Sequence, residues 1–385
     1  MRDLDRRTAP PGRIRRRGPS AAIPFDVVID LAVAGEYTAG HVTFLETLRG
    51  VAARRQDLNA QWVLLPFPPE GGWERLPPIR SNWSIRASLR ARRALAPLLD
   101  GLDAMLIHTQ TAALFSTGLM RRVPTVLSVD ATPINWDAVG EARGHSRDNR
   151  AIEGAKRRVV RRTFNAARAV IAWSDWVRAS LERDYGLDPQ RVVTIPAGVD
   201  LPPATDRSAH RAPVRLLFIG SDFEGKGGAD LLAVLNGLSG WELDVVTYSS
   251  VPDSDRVRVH RDVLPRSARL AELYSRADAF VFPTRGDASP FALLEGMAAG
   301  LPVVSTTIGA IGEMVSEGTG LLVAPGDLAA LRRAIERMIA DADLRLALGQ
   351  AARARVVSHY AADRNCNRML DVLVQVARES SSERS

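Results

Sequence analysis

Three scarcities narrow the chemistry open to this chain. It has a single cysteine, Cys366, among 385 residues, which excludes an internal disulfide framework and a cysteine-built metal centre. No apolar run reaches the roughly 18 residues that a membrane span requires, so none is expected. Lysine is nearly absent: of 51 basic residues only Lys156 and Lys226 are lysines. In a chain so committed to arginine, a lysine inside a glycine-rich turn stands out.

What is present is a globular composition, 46% hydrophobic and 25% charged, long enough for two or three domains at about 150 residues each. The net charge of +7 is unevenly spread. Residues 1–20 carry seven arginines against Asp3 and Asp5; with three prolines and no apolar periodicity they read as a disordered basic arm. The arm lacks the apolar stretch of a secretory signal. Residues 21–200 hold 23 basic and 19 acidic residues, and residues 201–385 hold 21 and 23. The first half is therefore mildly basic and the second slightly acidic.

Short apolar runs alternate with helical patterns along the chain, as in parallel sheets covered on both faces. Strands are expected at Phe25–Val33, Gln61–Leu65, Ala104–Ile107, Pro124–Val129, Ala169–Trp173 and Val192–Ile195. A turn at Ala39–Gly40 opens the first helix, and Ser174 fits the N-cap of another. Leu201 to His210 reads as a linker. The pattern then restarts with strands at Arg215–Ile219, Glu242–Tyr248, Ala279–Phe282, Pro302–Ser305 and Gly320–Val323. The last helix expected before the C-terminal segment, Asp327–Ile339, has Leu328, Leu331, Ile335, Met338 and Ile339 on one apolar face. The fold class is α/β, two doubly wound domains of similar size: 21–200, then 211–355 beyond the linker 201–210, with a helix and tail over 356–385.

Chemistry concentrates between Phe282 and Gly326. The strand Ala279–Phe282 ends in a polar turn, where ligands bind in open α/β sheets. Asp287-Ala-Ser-Pro-Phe-Ala-Leu-Leu-Glu295 then sets one carboxylate before a helix and one about a turn inside it. Between them lie the free N–H groups of a helix N-terminus, suited to phosphate, while the carboxylates suit sugar and ribose hydroxyls. A second loop, Gly220-Ser-Asp-Phe-Glu-Gly-Lys226-Gly-Gly228, allows close backbone approach, and the Lys226 ammonium can neutralise a diphosphate as a point charge. A third glycine-rich turn, Gly309-Ala-Ile-Gly312-Glu313, precedes a short helix.

Together these residues carry a resemblance. Ser289–Asp327, with Leu294-Glu-Gly-Met-Ala-Ala-Gly-Leu-Pro-Val-Val304 and Gly318-Thr-Gly-Leu-Leu-Val-Ala-Pro-Gly326, is similar to the donor-binding half of family-4 retaining glycosyltransferases. Gly220–Gly228 resembles that family's phosphate loop, and Tyr185–Asp200 the end of its first domain. The resemblance spans roughly residues 25–375. It implies a GT-B architecture, two Rossmann-like domains facing across a cleft with the C-terminal helix returning to the first. It implies sugar transfer with retention from a nucleotide-sugar to a saccharide or lipid-linked acceptor, in cell-envelope or exopolysaccharide assembly. Neither metal nor other cofactor is expected, nor a nucleic-acid partner; the location implied is cytoplasmic, at the inner membrane face.

Carried over by residue, the resemblance puts Glu295 on the ribose, Asp287 on the transferred sugar and Lys226 on the diphosphate. Gly220, Ser221, Arg285, Ser289, Pro290, Phe291 and Leu294 would complete the donor site, and Gly40 would face the reaction centre from the acceptor domain. There are departures. Asp287 is one methylene shorter than the family's usual glutamate, Ser221 replaces an arginine that Arg285 would have to supply, and Pro290 removes a backbone donor. Asp130, in Ser128-Val-Asp130-Ala-Thr-Pro133, stands where relatives carry a histidine.

Other features weigh less. His108 fits a structural histidine at a strand end, and Cys366 fits packing. Asp253-Ser-Asp255 matches a metal-binding acid pair of another glycosyltransferase fold but sits in a polar loop. Two basic clusters in the first domain, Arg80 to Arg93 and Lys156 to Arg162, read either as solvated helix faces or as contacts to anionic lipid or a diphosphate-linked acceptor. Few aromatics accompany them, against single-stranded nucleic acid. The competing classes are a sugar-nucleotide epimerase or phosphorylase on the same scaffold, and a non-catalytic membrane- or nucleic-acid-binding protein.

Overall fold

The computed structural model describes residues 28–383 except Ala39, Glu70, Pro78 and residues 141–148 and 206–211. The basic arm, the Ala39 half of the first turn and half of the linker lie outside the described residues.

Among the described residues, twelve strands form two sheets. The first holds β1 (Ile29–Tyr37), β2 (Leu58–Pro66), β3 (Ala104–His108), β4 (Thr125–Val129), β5 (Ala169–Ala172) and β6 (Val192–Thr194), in the order β2-β1-β3-β4-β5-β6. The second holds β7 (Val214–Ile219), β8 (Trp241–Val246), β9 (Val257–His260), β10 (Ala279–Phe282), β11 (Val303–Thr306) and β12 (Gly320–Val323), in the order β12-β11-β10-β7-β8-β9. Every ladder is parallel. Strands β3, β4 and β10 are buried at every position, which is why they read as unbroken apolar runs rather than alternating ones.

Some local expectations shift. Strand β1 begins at Ile29 and reaches Tyr37, so Glu36 belongs to it. Strand β9 was not expected: with only Val257 buried, it is an edge strand whose Arg258 faces outward. Leu328, assigned to an apolar helix face, is 42% exposed, while Leu331, Ile335 and Met338 are buried. Helix starts are set by side-chain caps: Ser174 accepts from the Val177 amide (3.2 Å), Asn82 from Ile85 (3.1 Å) and Asp327 from Ala330 (2.9 Å).

Two arginines of the first basic cluster are not on a solvated face, whereas Arg80, Arg92 and Arg93 are exposed. Arg86 and Arg90, on the helix Trp83–Leu95, are 3% and 8% exposed. Arg90 forks onto Glu74 and donates to the Pro68 carbonyl (2.8 Å); Arg86 donates to the carbonyls of Arg80 and Phe67, both at 2.7 Å. These guanidiniums tie the segment after β2 to its neighbouring helix.

The C-terminal helix Ala362–Ser382 returns to the first domain, where Cys366, Met369, Leu370 and Leu373 join Val33, Phe44 and Leu48 in one core. That core continues into the second domain through Phe291, Met297 and Tyr360. A polar link reinforces it. Glu313 accepts from the main-chain amides of Asp175 (2.8 Å) and Trp176 (2.6 Å), seating its carboxylate on the N-terminus of the helix Asp175–Arg183.

Both strand orders reverse direction once, between β1 and β3 and between β7 and β10. The crevice outside the carboxyl ends of the strands at such a reversal is where open α/β sheets bind ligands.

Candidate active site

At the second reversal, the loops after β7 and β10 are Gly220–Gly228 and Pro283–Pro290, the two stretches singled out from sequence. They touch. Gly227 has φ +78°, and a Cβ there would lie 1.9 Å from the Pro283 oxygen; only glycine allows this approach. Lys226 Nζ donates to the Gly286 carbonyl at 3.2 Å and pairs with the Asp287 carboxylate. The next turn is clamped alike: Gly309 has φ +59°, and its Cβ would meet the Asp287 oxygen at 2.2 Å. Beside them Ser289 Oγ is buried and makes no hydrogen bond among the described residues.

Other named residues separate. Arg285 forks onto Asp230 of the helix Gly228–Leu235, at 2.8 and 2.6 Å, so its charge is directed there and not to the place of Ser221. Ser221 is exposed, its carbonyl accepting from Ser249 Oγ at 3.3 Å. Leu294 is 1% exposed and packs in the core, which removes it from any ligand-facing set. Pro290 is the N-cap of the helix Phe291–Ala298. One turn along that helix, Glu295 lines a cavity of about 330 Å³ with Tyr274, Arg266, Asp200 and Thr43. Asp253 accepts from the Val259 amide at 2.9 Å, holding the turn before β9.

At the first reversal, the carboxyl ends of β1 and β3 bring together groups distant in sequence. His41, second residue of the helix Gly40–Ala52, places Nε2 3.2 Å from Asp130 Oδ2. Its ring meets His108 edge-on, with centroids 4.5 Å apart, and His108 stacks on Trp173 at 4.8 Å and 10°. His108 Nδ1 lies 3.2 Å from both oxygens of Ser128. Glu36, 5% exposed, accepts from Trp83 Nε1 and Thr109 Oγ1. The two sides meet at Phe291: Trp173 lies edge-on to it at 5.9 Å, and a Cβ on Gly40 would stand 3.1 Å from its ring.

Residues 42–202 match the signature described as Glycosyltransferase Family 4, and residues 207–341 that of Glycosyl transferases group 1. The chain belongs to the family-4, group-1 glycosyltransferases. Among curated relatives, glycogen synthase of Mycobacterium tuberculosis is 28% identical over 296 residues, covering 72% of this chain and 69% of that protein. D-inositol 3-phosphate glycosyltransferase of Kineococcus radiotolerans is 30% identical over 57% of this chain and 60% of its own. In fold, sucrose-phosphate synthase of Thermosynechococcus elongatus aligns with TM-score 0.73 at 19% identity, over 90% of this chain and 99% of that one. Anabaena HepE in complex with UDP and glucose aligns at 0.65 and 15%, over 90% and 100%. The fold is GT-B and the protein an enzyme that transfers a glycosyl group, which displaces the non-catalytic reading.

The electrostatics of this glycosyltransferase differ between its two crevices. Burial raises the Glu295 pKa, opposed by the hydrogen bond from Tyr274. Across the cleft, burial works against ionising His41 and Asp130, yet their mutual attraction prevails: His41 is raised and Asp130 lowered. His108 is held neutral, its pKa pushed down to about 3 by burial and then by His41. Sequence reasoning found Asp130 and His108 separately but missed His41. The available signal was its position, directly after Gly40 at a strand-to-helix turn.

Proposed function

We propose that this glycosyltransferase takes its sugar from a nucleoside diphosphate donor in the second-domain crevice. It passes the sugar, with retention, to a saccharide or lipid-linked acceptor at the first-domain crevice, in envelope or exopolysaccharide assembly. The observation that carries this reading is Lys226. One of two lysines in the chain, it sits where both loops of the reversal meet, next to the N-terminus of the helix Phe291–Ala298. A diphosphate there gains the ammonium, the helix dipole and unpaired amides, all already in place as the leaving group takes up charge. Asp287 neutralises Lys226 in the unliganded protein and is near enough to accept from hydroxyls of the transferred sugar. Glu295, opening on the cavity, suits the ribose hydroxyls. The likeness to HepE, whose structure holds UDP and glucose, supports a nucleotide donor. No metal-assisted step is needed in this reading.

Peripheral contact with an anionic membrane belongs to the same proposal. On the helix Arg150–Ala166, Lys156, Arg157, Arg158, Arg161 and Arg162 are all exposed, beside Ile152 and Val159, which are 44% and 40% exposed.

The test of the donor site is calorimetric binding of UDP, GDP and ADP, and of their glucose conjugates, to wild type, Lys226→Ala and Glu295→Ala. Loss of one charged contact should weaken the preferred ligand by about ten-fold or more. Folded variants that bind as wild type does would refute the assignment.

A further inference from the structure

Arg86, Arg90 and Arg93 stand at helical spacing on the helix Trp83–Leu95, and each holds part of the segment between β2 and that helix. Arg90 forks onto Glu74 and reaches the Pro66 carbonyl. Arg93 Cζ lies 4.6 Å from the Trp73 ring centroid. Arg86 backs two rings at once, its Cζ 5.3 Å from the Phe67 centroid and 5.2 Å from that of Trp83. Arg86 is 3% exposed and Phe67 53%, so the guanidinium lies on the inner side and the open face of the phenyl ring is turned to solvent. The two rings are 5.1 Å apart at 39° and make a ledge. Trp83 is half-buried, and its one polar atom is used inward: Nε1 donates to Glu36. Glu36 stands near the carboxyl end of β1 and also accepts from Thr109 Oγ1, just after β3. The register sets Tyr37 against Pro66. Phe67 therefore emerges at the carboxyl edge of the sheet, one strand out from the first-domain crevice.

We propose that Phe67 and Trp83 form a stacking ledge for a sugar ring of the acceptor, at least one unit away from the hydroxyl that receives the glycosyl group. A pyranose presents a face of C–H groups with its hydroxyls around the rim. An aromatic ring takes that face while neighbouring polar groups take the rim. Such a rim is present: Arg80, Ser81 and Asn82, which lead into Trp83, are all exposed. Charge narrows the class of sugar. Arg86 already supplies the cation behind both rings, and Arg80 stands at the rim, so an amino sugar carrying its own positive charge meets repulsion. The ring that stacks is therefore neutral or acidic. Lipid fits this ledge less well. A tryptophan at a membrane surface keeps its polar end at the level of the head groups, whereas the N–H of Trp83 is turned into the protein. Through Glu36 the ledge is continuous with the crevice, where an acceptor hydroxyl and not an acyl chain has to arrive. The proposal rests on the function proposed above for the acceptor being a saccharide chain and for the side on which it enters.

The chain has seven tryptophans, few enough to resolve their indole N–H signals in the nitrogen-labelled full-length protein, with Trp83 identified by Trp83→Phe. The probes are maltotriose, cellotriose and mannotriose, with a glucosamine trimer as the cationic comparison and phosphatidylglycerol vesicles as the lipid one. Saturation transfer from aromatic protons reports which sugar protons lie on the rings. We expect at least one neutral trimer to shift the Trp83 signal and to receive saturation at its C–H protons, and the cationic trimer to do neither. Phe67→Ala should weaken that binding about five-fold or more, while Phe67→Tyr, which keeps the ring, should restore it. The proposal is overturned if no neutral trimer shifts the Trp83 signal, or if Phe67→Ala binds the trimer as wild type does. It is equally overturned if Phe67→Ala leaves saccharide binding intact and releases the protein from vesicles, which would give the ledge to lipid. Nucleotide binding without a trimer response sinks the ledge and leaves the donor reading intact. A trimer response in a protein that binds no nucleotide supports the ledge and sinks the donor reading.

Discussion

Tyr274 donates its hydroxyl to Glu295 Oε2 at 2.9 Å, with the Ala292 carbonyl 3.2 Å from the same oxygen. Tyr274 is 6% exposed, so it grips the carboxylate from the protein side while Glu295 opens on the cavity. Tyr274→Phe keeps the ring and removes the grip. Nucleotide affinity should fall about five-fold, the worth of one hydrogen bond. Calorimetry measures this directly, and an unchanged affinity would show that Tyr274 does not orient Glu295.

The same carboxylate carries a pH signature. Burial raises its pKa above 4.5, so between 4.5 and the raised value the folded state binds more protons than the unfolded one. Stability then falls as pH rises through that window, and the deficit is complete above it. Glu295→Gln removes the charge and should be more stable than wild type at neutral pH while binding nucleotide less tightly. The gain should vanish below pH 4.5. Denaturant titrations at the two pH values decide it; a variant less stable at both contradicts the burial argument.

This division between binding and stability helps explain what was readable from sequence. The donor-side crevice is local: Lys226 stands in one loop, and Asp287 and Glu295 lie either side of one helix start, so the resemblance carried by these contiguous blocks brings them forward. The acceptor-side crevice is assembled from positions 36, 41, 108 and 130, and only strand order makes neighbours of them. Arg86 and Arg90 misled for a related reason. Helical periodicity reveals a face but not that Glu74 lies under it.

His108 should make the first domain acid-sensitive. Its pKa falls from 6.5 to about 3 on folding, so the unfolded chain binds a proton that the folded chain refuses. Stability therefore rises with pH from about 3 to 6.5, by about 5 kcal/mol at most. His41, raised by folding, contributes in the opposite sense, its stabilisation being present below 6.5 and lost above its folded value. His108→Gln cannot titrate, and its stability should vary less with pH across this range even if its absolute stability is lower. An acid slope equal to that of wild type would locate the sensitivity elsewhere.

Gly227 and Gly318 separate backbone strain from close approach. Their φ values are nearly equal, +78° and +80°, but a Cβ at Gly227 strikes the Pro283 oxygen at 1.9 Å, whereas one at Gly318 meets nothing within 4 Å. Alanine at either position incurs the strain of a left-handed residue, about 1 kcal/mol. At Gly227 it must also part the two loops that hold Lys226 and Asp287. Gly227→Ala should therefore lose nucleotide affinity by about ten-fold or more, while Gly318→Ala keeps it and loses only stability. Equal affinities in the two variants would mean that loop contact does not shape the donor site.

The helix Arg150–Ala166 keeps all five of its clustered charges exposed, whereas in the first cluster Arg86 and Arg90 are committed to internal partners. Near an anionic surface each arginine contributes about 1 kcal/mol, so removing two should weaken binding about thirty-fold, and reversing their sign further still. Arg158→Glu with Arg162→Glu alters two exposed positions and should release the protein from phosphatidylglycerol vesicles in co-sedimentation. Raised salt should do the same to wild type, since exposed charges are screened within about 10 Å at 0.1 M. Equal retention on phosphatidylcholine vesicles, or binding indifferent to both changes, would mean that the helix meets water and not lipid.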